Sequence, residues 1–261
     1  MTALAARRRH PMATAVLVLL SLVVIGVLYA LAVPGKAAAV PASADDVAAG
    51  RQLFLANCGT CHGTNAEGRA YAPSLVGVGA AAVDFQVGTG RMPLQATGPQ
   101  APASGNVRYT EDEIKQMAAY VASLAPGPAV PAADAVDPAK GSAERGGDLF
   151  RTNCAMCHNF AANGGALTRG KYAPNLNGTT PTDIYEAMLT GPQSMPVFSD
   201  SNISPENKRD IIAWVRTIKT QPSPGGLSLG GIGPVSEGLA AWVVGLVALI
   251  GCAVWLGAKA S

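Results

Sequence analysis

The sequence is poor in charged residues and in aromatic residues. Charged residues make up 14% of the 261 positions and aromatic residues 5%, and the formal net charge is +2. Nucleic-acid binding leaves a strongly basic footprint, so no nucleic-acid partner is expected from so balanced a charge. No combination of acid, base and nucleophile stands out as a site for substrate chemistry, which turns attention to the few cysteines and histidines.

The chain has only five cysteines and three histidines, and most of them fall in two short strings. These strings are Cys58-Gly-Thr-Cys61-His62 and Cys154-Ala-Met-Cys157-His158. Each has the form Cys-x-x-Cys-His, the attachment site of a c-type haem. The two cysteines form thioethers with the haem vinyl groups, and the histidine that follows ligates the iron. The sequence therefore predicts two covalently bound haem c groups and an electron carrier.

Other roles for the two strings agree less well with the sequence. A zinc ribbon usually places its second cysteine pair about 15–20 residues after the first, whereas Cys61 and Cys154 are far apart. A disulfide or a thioredoxin-like pair would not explain the histidine repeated in both strings. A haem also supplies buried apolar surface to a small domain that has few aromatic side chains.

The residues around the two strings repeat the same order of landmarks. A glycine-led segment ending in phenylalanine comes first; a Tyr-Ala-Pro-x-Leu segment, a Met-Pro pair and an amphipathic helix follow. The pairs are Gly50–Phe54 and Gly146–Phe150, Tyr71–Leu75 and Tyr172–Leu176, Met92-Pro93 and Met195-Pro196, and the helices Glu111–Leu124 and Pro205–Lys219. This order indicates an internal duplication of a module of roughly 80 residues.

Capping residues predict where the helices of each module begin. Short helices are expected over Ala44–Leu55 and Ala143–Arg151, after the N-cap serines Ser43 and Ser142. Thr110 begins a capping box before the first closing helix. Ser204, followed by a proline, is the expected N-cap of the second.

Two apolar segments flank the modules. Ala13–Val33 and Leu239–Leu256 contain no charged residue and approach the length that crosses a bilayer. Arg7–Arg9 and the alanines at 37–39 would also fit a cleaved signal segment, although the apolar run is longer than usual for one. We expect a retained anchor. By the positive-inside rule Arg7–Arg9 stay in the cytoplasm, so the modules lie on the outer face of the plasma membrane and both termini inside.

Each module resembles a class I cytochrome c, a small all-α fold with histidine and methionine as axial iron ligands. Carried over by position, the resemblance implies the following site residues. The cysteines that bind haem are Cys58, Cys61, Cys154 and Cys157, and the iron ligands are His62, Met92, His158 and Met195. Pro73 and Pro174 would accept the Nδ1–H of the histidines, and Leu75 and Leu176 would pack on the porphyrin. With both axial positions filled, the iron exchanges electrons and binds no substrate.

The whole architecture resembles the dihaem cytochrome c subunit of the actinobacterial menaquinol–cytochrome c reductase, a bcc-type complex. That resemblance implies three partners besides membrane lipid: a Rieske iron–sulfur protein, a cytochrome b subunit and an aa-type terminal oxidase. Electrons would pass from the Rieske protein through the two haems towards the oxidase. The predicted fold is all-α, two class I cytochrome c domains in tandem between transmembrane helices. The divisions are a cytoplasmic 1–12, a membrane or signal segment 13–33, domains 43–125 and 141–221, linkers 126–140 and 222–238, and a membrane helix 239–257.

Three other functions remain open at this stage. A dihaem subunit of a cbb-type oxidase has the same two modules, usually on an N-terminal anchor alone. A dihaem peroxidase needs an accessible iron, which a Met-Pro ligand in both modules does not provide. The cytochrome subunit of a periplasmic dehydrogenase usually carries three haem motifs, and this chain has two.

Overall fold

The structure, a computed structural model, describes residues 11–32, 42–220, 229 and 234–259. The chain divides into two units, Met1–Pro41 and Ala42–Ser261, which are described separately. The arginines at 7–9, the alanines at 37–39 and most of the predicted second linker lie outside the described residues.

The part of the chain described after residue 41 is mostly helical. The first module contains α2 (Ala44–Asn57), α3 (Gly59–His62), α4 (Ala80–Gly88) and α5 (Glu111–Leu124). The second contains α6 (Ala143–Asn153), α7 (Ala155–His158), α8 (Pro181–Thr190) and α9 (Pro205–Thr220). Two-residue strands β1 (Gly165–Ala166) and β2 (Tyr172–Ala173) pair antiparallel in the second module. The order of helices is therefore the same in both modules, and α4 is an element that the sequence analysis did not predict.

The predicted helix starts are confirmed. The hydroxyls of Ser43, Ser142 and Ser204 accept backbone N–H groups from the first turn of α2, α6 and α9 at 3.0, 3.4 and 3.3 Å. Thr110 and Glu113 form the complete capping box at the start of α5. These bonds satisfy backbone donors that have no partner within the helix.

In each module the first and last helices cross at a glycine. A Cβ atom at Gly50 would lie 1.9 Å from the carbonyl oxygen of Gln116 on α5. At Gly146 it would lie 1.8 Å from the carbonyl oxygen of Asp210 on α9. Only glycine permits such close approach of two helix backbones.

Each module has its own apolar core beside this crossing. The ring centroids of Phe54 and Tyr120 are 5.2 Å apart in the first, and those of Phe150 and Trp214 are 4.4 Å apart in the second. Met117 is almost fully buried and belongs to the core of the first module. The repeated phenylalanine therefore anchors the equivalent α2–α5 and α6–α9 pairs.

The two modules are in direct contact. Helix α4 packs against α8, and the side-chain amide of Gln100 pairs with the backbone of Tyr172 through two hydrogen bonds of 2.9 Å. The Ala101 N–H donates to Gln193 Oε1 at 3.2 Å. These bonds tie the loop after Met92 to the second module.

A buried acid lies at this contact. Glu186 on α8 is fully buried, and its carboxyl lies within hydrogen-bonding reach of the Asp84 carboxyl. Burial, and next the charge of Asp84 on α4, raise the pKa of Glu186 to about 9. The pKa of Asp84 is raised as well, mainly by burial, although its hydrogen bond with Glu186 opposes the shift. Glu186 is therefore protonated at neutral pH.

Replacing Glu186 by glutamine is expected to remove a loss of stability at high pH. An unfolded glutamate titrates near pH 4.3, so between about pH 4.5 and 9 the folded state alone holds this proton. Stability then falls as pH rises through that window. We expect Glu186→Gln to raise the free energy of unfolding by roughly 4 kcal/mol more at pH 8 than at pH 5, because each pH unit within this window costs the parent about 1.4 kcal/mol.

The measurement is urea denaturation of the haem-loaded protein in detergent at both pH values. Glu144→Gln, at an exposed position of α6, is the matched control and should follow the parent. Equal pH dependence in Glu186→Gln and the parent would show that this carboxyl does not titrate with a raised pKa.

The segment between the modules, predicted as an extended linker at 126–140, has anchoring contacts at both ends. The Ala81 N–H donates to the Pro128 carbonyl at 3.1 Å. Val136 is buried in the core of the second module, and the 3-10 turn Pro138–Lys140 packs on α9. Its proline- and alanine-rich composition gave no sign of these contacts.

The two apolar segments form long helices. Helix α1 covers Pro11–Ala32 and α10 covers Pro234–Lys259. Each contains a stretch, Met12–Tyr29 and Val235–Lys259, that is long and apolar enough to cross a membrane and is not buried against protein. Helix α10 begins five residues before the predicted segment 239–257.

Candidate functional site

The two Cys-x-x-Cys-His strings fold in the same way. In each, the first cysteine caps a four-residue helix, α3 or α7, that ends on the histidine. The N–H groups of the second cysteine and of the histidine donate to the carbonyl of the first cysteine, at 3.1 and 2.9 Å in both strings. This single turn brings both thiols and the imidazole to one side of the backbone.

Each histidine ring is held by a proline carbonyl. His62 Nδ1 lies 2.8 Å from the Pro73 oxygen, and His158 Nδ1 lies 3.0 Å from the Pro174 oxygen. A carbonyl accepts only, so Nδ1 carries the proton and Nε2 is free to bind a metal. Burial lowers the pKa of His158, although the Pro174 bond opposes the shift. The neutral ring with Nε2 free is the form that binds iron.

The loop after each histidine is closed by matching backbone bonds. The N–H of Leu75 donates to the Ala66 carbonyl, and that of Leu176 to the Ala162 carbonyl, both at 2.8 Å. These bonds place the leucines at equivalent positions. Each leucine packs on the core of its own module.

In the second module the predicted site residues line one cavity of about 510 Å³. Its walls include Cys154, Cys157, His158, Met195, Pro174 and Leu176. Phe150, Ile184 and Met188 add apolar side chains to the same cavity walls. The donors sought for a c-type haem thus converge on one largely apolar space.

In the first module the equivalent residues pack around an equivalent core. Cys58, Leu75 and Met92 contact the cluster that contains Phe54 and Met117. Met92 is further positioned by its N–H, which donates to the Gln86 carbonyl at 2.9 Å. The residues of both modules therefore suit a haem held by two thioethers and an imidazole.

The first cysteine of each string is partly buried. The pKa of Cys154 is raised to about 12, mainly by burial and then by Cys157. The pKa of Cys58 is raised for the same reasons, with Cys61 as the neighbouring charge. Both thiols are therefore neutral at physiological pH before any attachment, since the thiolate is disfavoured by burial.

Comparison with known proteins agrees with this geometry. The family model described as cytochrome c matches residues 47–125, and the model described as cytochrome C oxidase, cbb3-type, subunit III matches residues 141–215. The Mycobacterium bovis protein named cytochrome bc1 complex cytochrome c subunit is 45% identical over 97% of this chain and 93% of its own length. The chain belongs to this family. Relatives of the same name from Mycobacterium leprae and Corynebacterium efficiens are 46% and 48% identical over 94% and 82% of the chain.

Membership of the bc1 complex cytochrome c subunit family makes the chain an electron-transfer protein with two haem c groups. Each of the two family-model matches covers one of the two Cys-x-x-Cys-His strings. The two apolar helices agree with association of such a subunit with a membrane.

Several residues near the second site were not found from the sequence. Phe85, Arg91 and Gln100 belong to the first module but line the cavity of the second. The one signal in the sequence is an asymmetry between the copies, since Arg91 precedes Met92 where Ser194 precedes Met195. The contacts between the two modules join residues far apart in sequence, so they leave no periodic pattern that sequence analysis could recognise.

Proposed function

We propose that this chain carries electrons through two haems in tandem within a quinol–cytochrome c reductase. The observation that carries the proposal is the similarity to bc1 complex cytochrome c subunits across both modules and both apolar helices. The repeated donor set, held by the same backbone bonds in each module, supports it.

We assign the attachment of haem to Cys58 and Cys61 in the first module and to Cys154 and Cys157 in the second. His62 and His158 supply the proximal ligand, with the proline carbonyls of residues 73 and 174 fixing the ring. When bound, the haem iron carries one electron at a time by alternating between Fe(III) and Fe(II). The chain provides orientation and an apolar surrounding that excludes water.

We assign the distal ligand to Met92 and Met195. Thioether sulfur favours Fe(II), so these side chains hold the potential high. A histidine and a methionine on the same iron would leave no coordination position for oxygen or peroxide. Leu75 and Leu176 would pack against the bound haem.

We propose that electrons enter the chain from a Rieske iron–sulfur protein and leave it to an aa-type oxidase. A cytochrome b subunit would oxidise the quinol in the same complex. Net charges are small in both modules, with 5 basic and 7 acidic residues over 45–125 and 8 basic and 7 acidic over 141–221. Such modest charge suits a permanently docked carrier better than one steered by long-range attraction.

A cbb-type oxidase subunit is the second candidate. The match of residues 141–215 to the cbb3 subunit III model favours it. That match covers one module, whereas the similarity to bc1 complex subunits extends over 97% of the chain. Helix α10 also favours the reductase, because a cbb-type subunit usually has an N-terminal anchor alone and α10 lies after both modules.

The test is to purify the C-terminally tagged protein in mild detergent, record reduced-minus-oxidised spectra and assay menaquinol oxidation. Copurification of b- and a-type haem and an iron–sulfur protein, with menaquinol reducing the c-type haem, is the expected result. Isolation of c-type haem alone, without quinol activity, would contradict the proposal.

The proposed topology places both termini in the cytoplasm. Alkaline phosphatase is active only after export, so a fusion after Ser261 is expected to be inactive. A fusion after Lys140, between the modules, is the matched positive control. Activity of the Ser261 fusion at the level of the Lys140 fusion would contradict a second membrane crossing by α10.

A further inference from the structure

The cavity of the second haem site is not built by the second module alone. Besides its own cysteines, histidine and methionine, its walls include Phe85, Thr89, Arg91 and Gln100 of the first module. Gln100 is fixed there by its two 2.9 Å bonds to Tyr172. The first module thus closes one side of the second site.

Arg91 is the charged residue that the first module adds to this wall. Its guanidinium carbon lies 4.6 Å from the centre of the Phe85 ring, and the side chain is half-buried. No hydrogen bond or ion pair joins Arg91 to another residue in the part of the chain that the structure describes. Burial lowers the pKa of Arg91, and the charge of Asp183 on α8, which lines the same cavity, opposes that shift. A half-buried cation without a paired anion is costly.

The chemistry of the expected occupant supplies such an anion. A haem carries two propionate groups, and a guanidinium binds a carboxylate through paired, charge-assisted hydrogen bonds. Lys171, the other cation lining the cavity, already donates to Ser194 Oγ at 2.8 Å. Lys171 uses one of its three N–H donors in this bond, whereas all the guanidinium donors of Arg91 remain for a carboxylate in this cavity.

We propose that Arg91 of the first module binds a propionate of the haem held by the second module. The proposal rests on the haem sites assigned above. Arg91 and Met92 are consecutive, yet they would serve different haems, Met92 in its own module and Arg91 across the contact. Arg91 is a positioning residue, because the contact between the modules holds it beside the second haem and so affects the midpoint potential of that haem.

A positive charge close to the haem stabilises Fe(II) relative to Fe(III), because reduction removes one positive charge from the iron. We expect Arg91→Gln to lower the midpoint potential of the second haem and to leave that of the first unchanged. Arg91→Lys keeps the charge and should restore much of the potential. Arg108→Gln removes an exposed charge from the same module and should shift neither haem.

The measurement is a spectroscopic redox titration of the purified full-length holoprotein, with Met92→His and Met195→His marking which potential belongs to which haem. A shift of the Met92-marked haem by Arg91→Gln, or of neither haem, would overturn the proposal. If the two marker variants do not each move one potential, the assigned ligands fail instead, and this outcome is visible without any Arg91 variant. Loss of haem in Arg91→Gln but not in Arg91→Lys would support the propionate contact, and equal loss in both would overturn it.

Discussion

Replacing Gly146 by alanine is expected to destabilise the second module severely. The new Cβ would lie 1.8 Å from the carbonyl oxygen of Asp210, inside the crossing of α6 and α9. Overpacking of a tight contact typically costs about 1–3 kcal/mol and sometimes more. Alanine gains up to about 1 kcal/mol of helix propensity over glycine, so the clash prevails.

This crossing has little room to relax. Asp210 is almost fully buried and accepts hydrogen bonds from the Ser142 N–H at 2.6 Å and from Arg145 Nε at 2.9 Å. These bonds hold the start of α6 against α9, so the helices cannot separate without losing them. We therefore expect a loss of at least about 3 kcal/mol, a large fraction of the roughly 5–15 kcal/mol that stabilises a domain.

The measurement is the yield of haem-loaded protein together with its free energy of unfolding in urea. Gly98→Ala is the control, because a Cβ at Gly98 meets only the Gln100 carbonyl oxygen, at the ordinary contact distance of 3.7 Å, and lies outside the haem cavity. Gly50→Ala should produce the same defect in the first module, where the distance is 1.9 Å to Gln116. A Gly146→Ala protein as stable as Gly98→Ala would mean that the helices do not cross at this distance.

Replacing Met195 by histidine is expected to lower one haem potential and leave the other in place. Imidazole favours Fe(III) more than thioether does. The fall should be on the order of 0.1–0.3 V, within the roughly 0.8 V over which axial ligands set haem potentials. Met92→His should do the same to the other haem.

Redox titration followed at the haem absorption bands measures both potentials in one sample. Met12→Leu is the control, since Met12 lies on α1, outside both modules. It should change neither potential. Movement of both potentials in a single methionine variant would contradict the assignment of one methionine to each haem.

Local features of the fold could be predicted because they depend on a few neighbouring residues. Residues close together in sequence specify the capping serines, the capping box at Thr110 and the amphipathic helix at 111–124. Tertiary contacts do not override these features. The bonds of His62 and His158 to Pro73 and Pro174 have the partners that the resemblance to class I cytochromes c implies. The iron-ligand roles of the methionines stay predictions.

The contact between the modules could not be predicted, because it joins residues far apart in sequence. Helix α4 is short and buries residues towards both modules, so it lacks the single apolar stripe that marks a surface helix. Glu186 looks like an ordinary polar position until α4 covers it. Composition alone likewise gave no indication that Val136 is buried in the second module.

The anchoring of segment 126–140 at both ends has a consequence for how the duplicated chain evolves. The two modules contribute a cavity wall, hydrogen bonds and a buried acid to one another. The two copies therefore no longer have equivalent surroundings. A substitution at this contact then changes the surroundings of both copies at once.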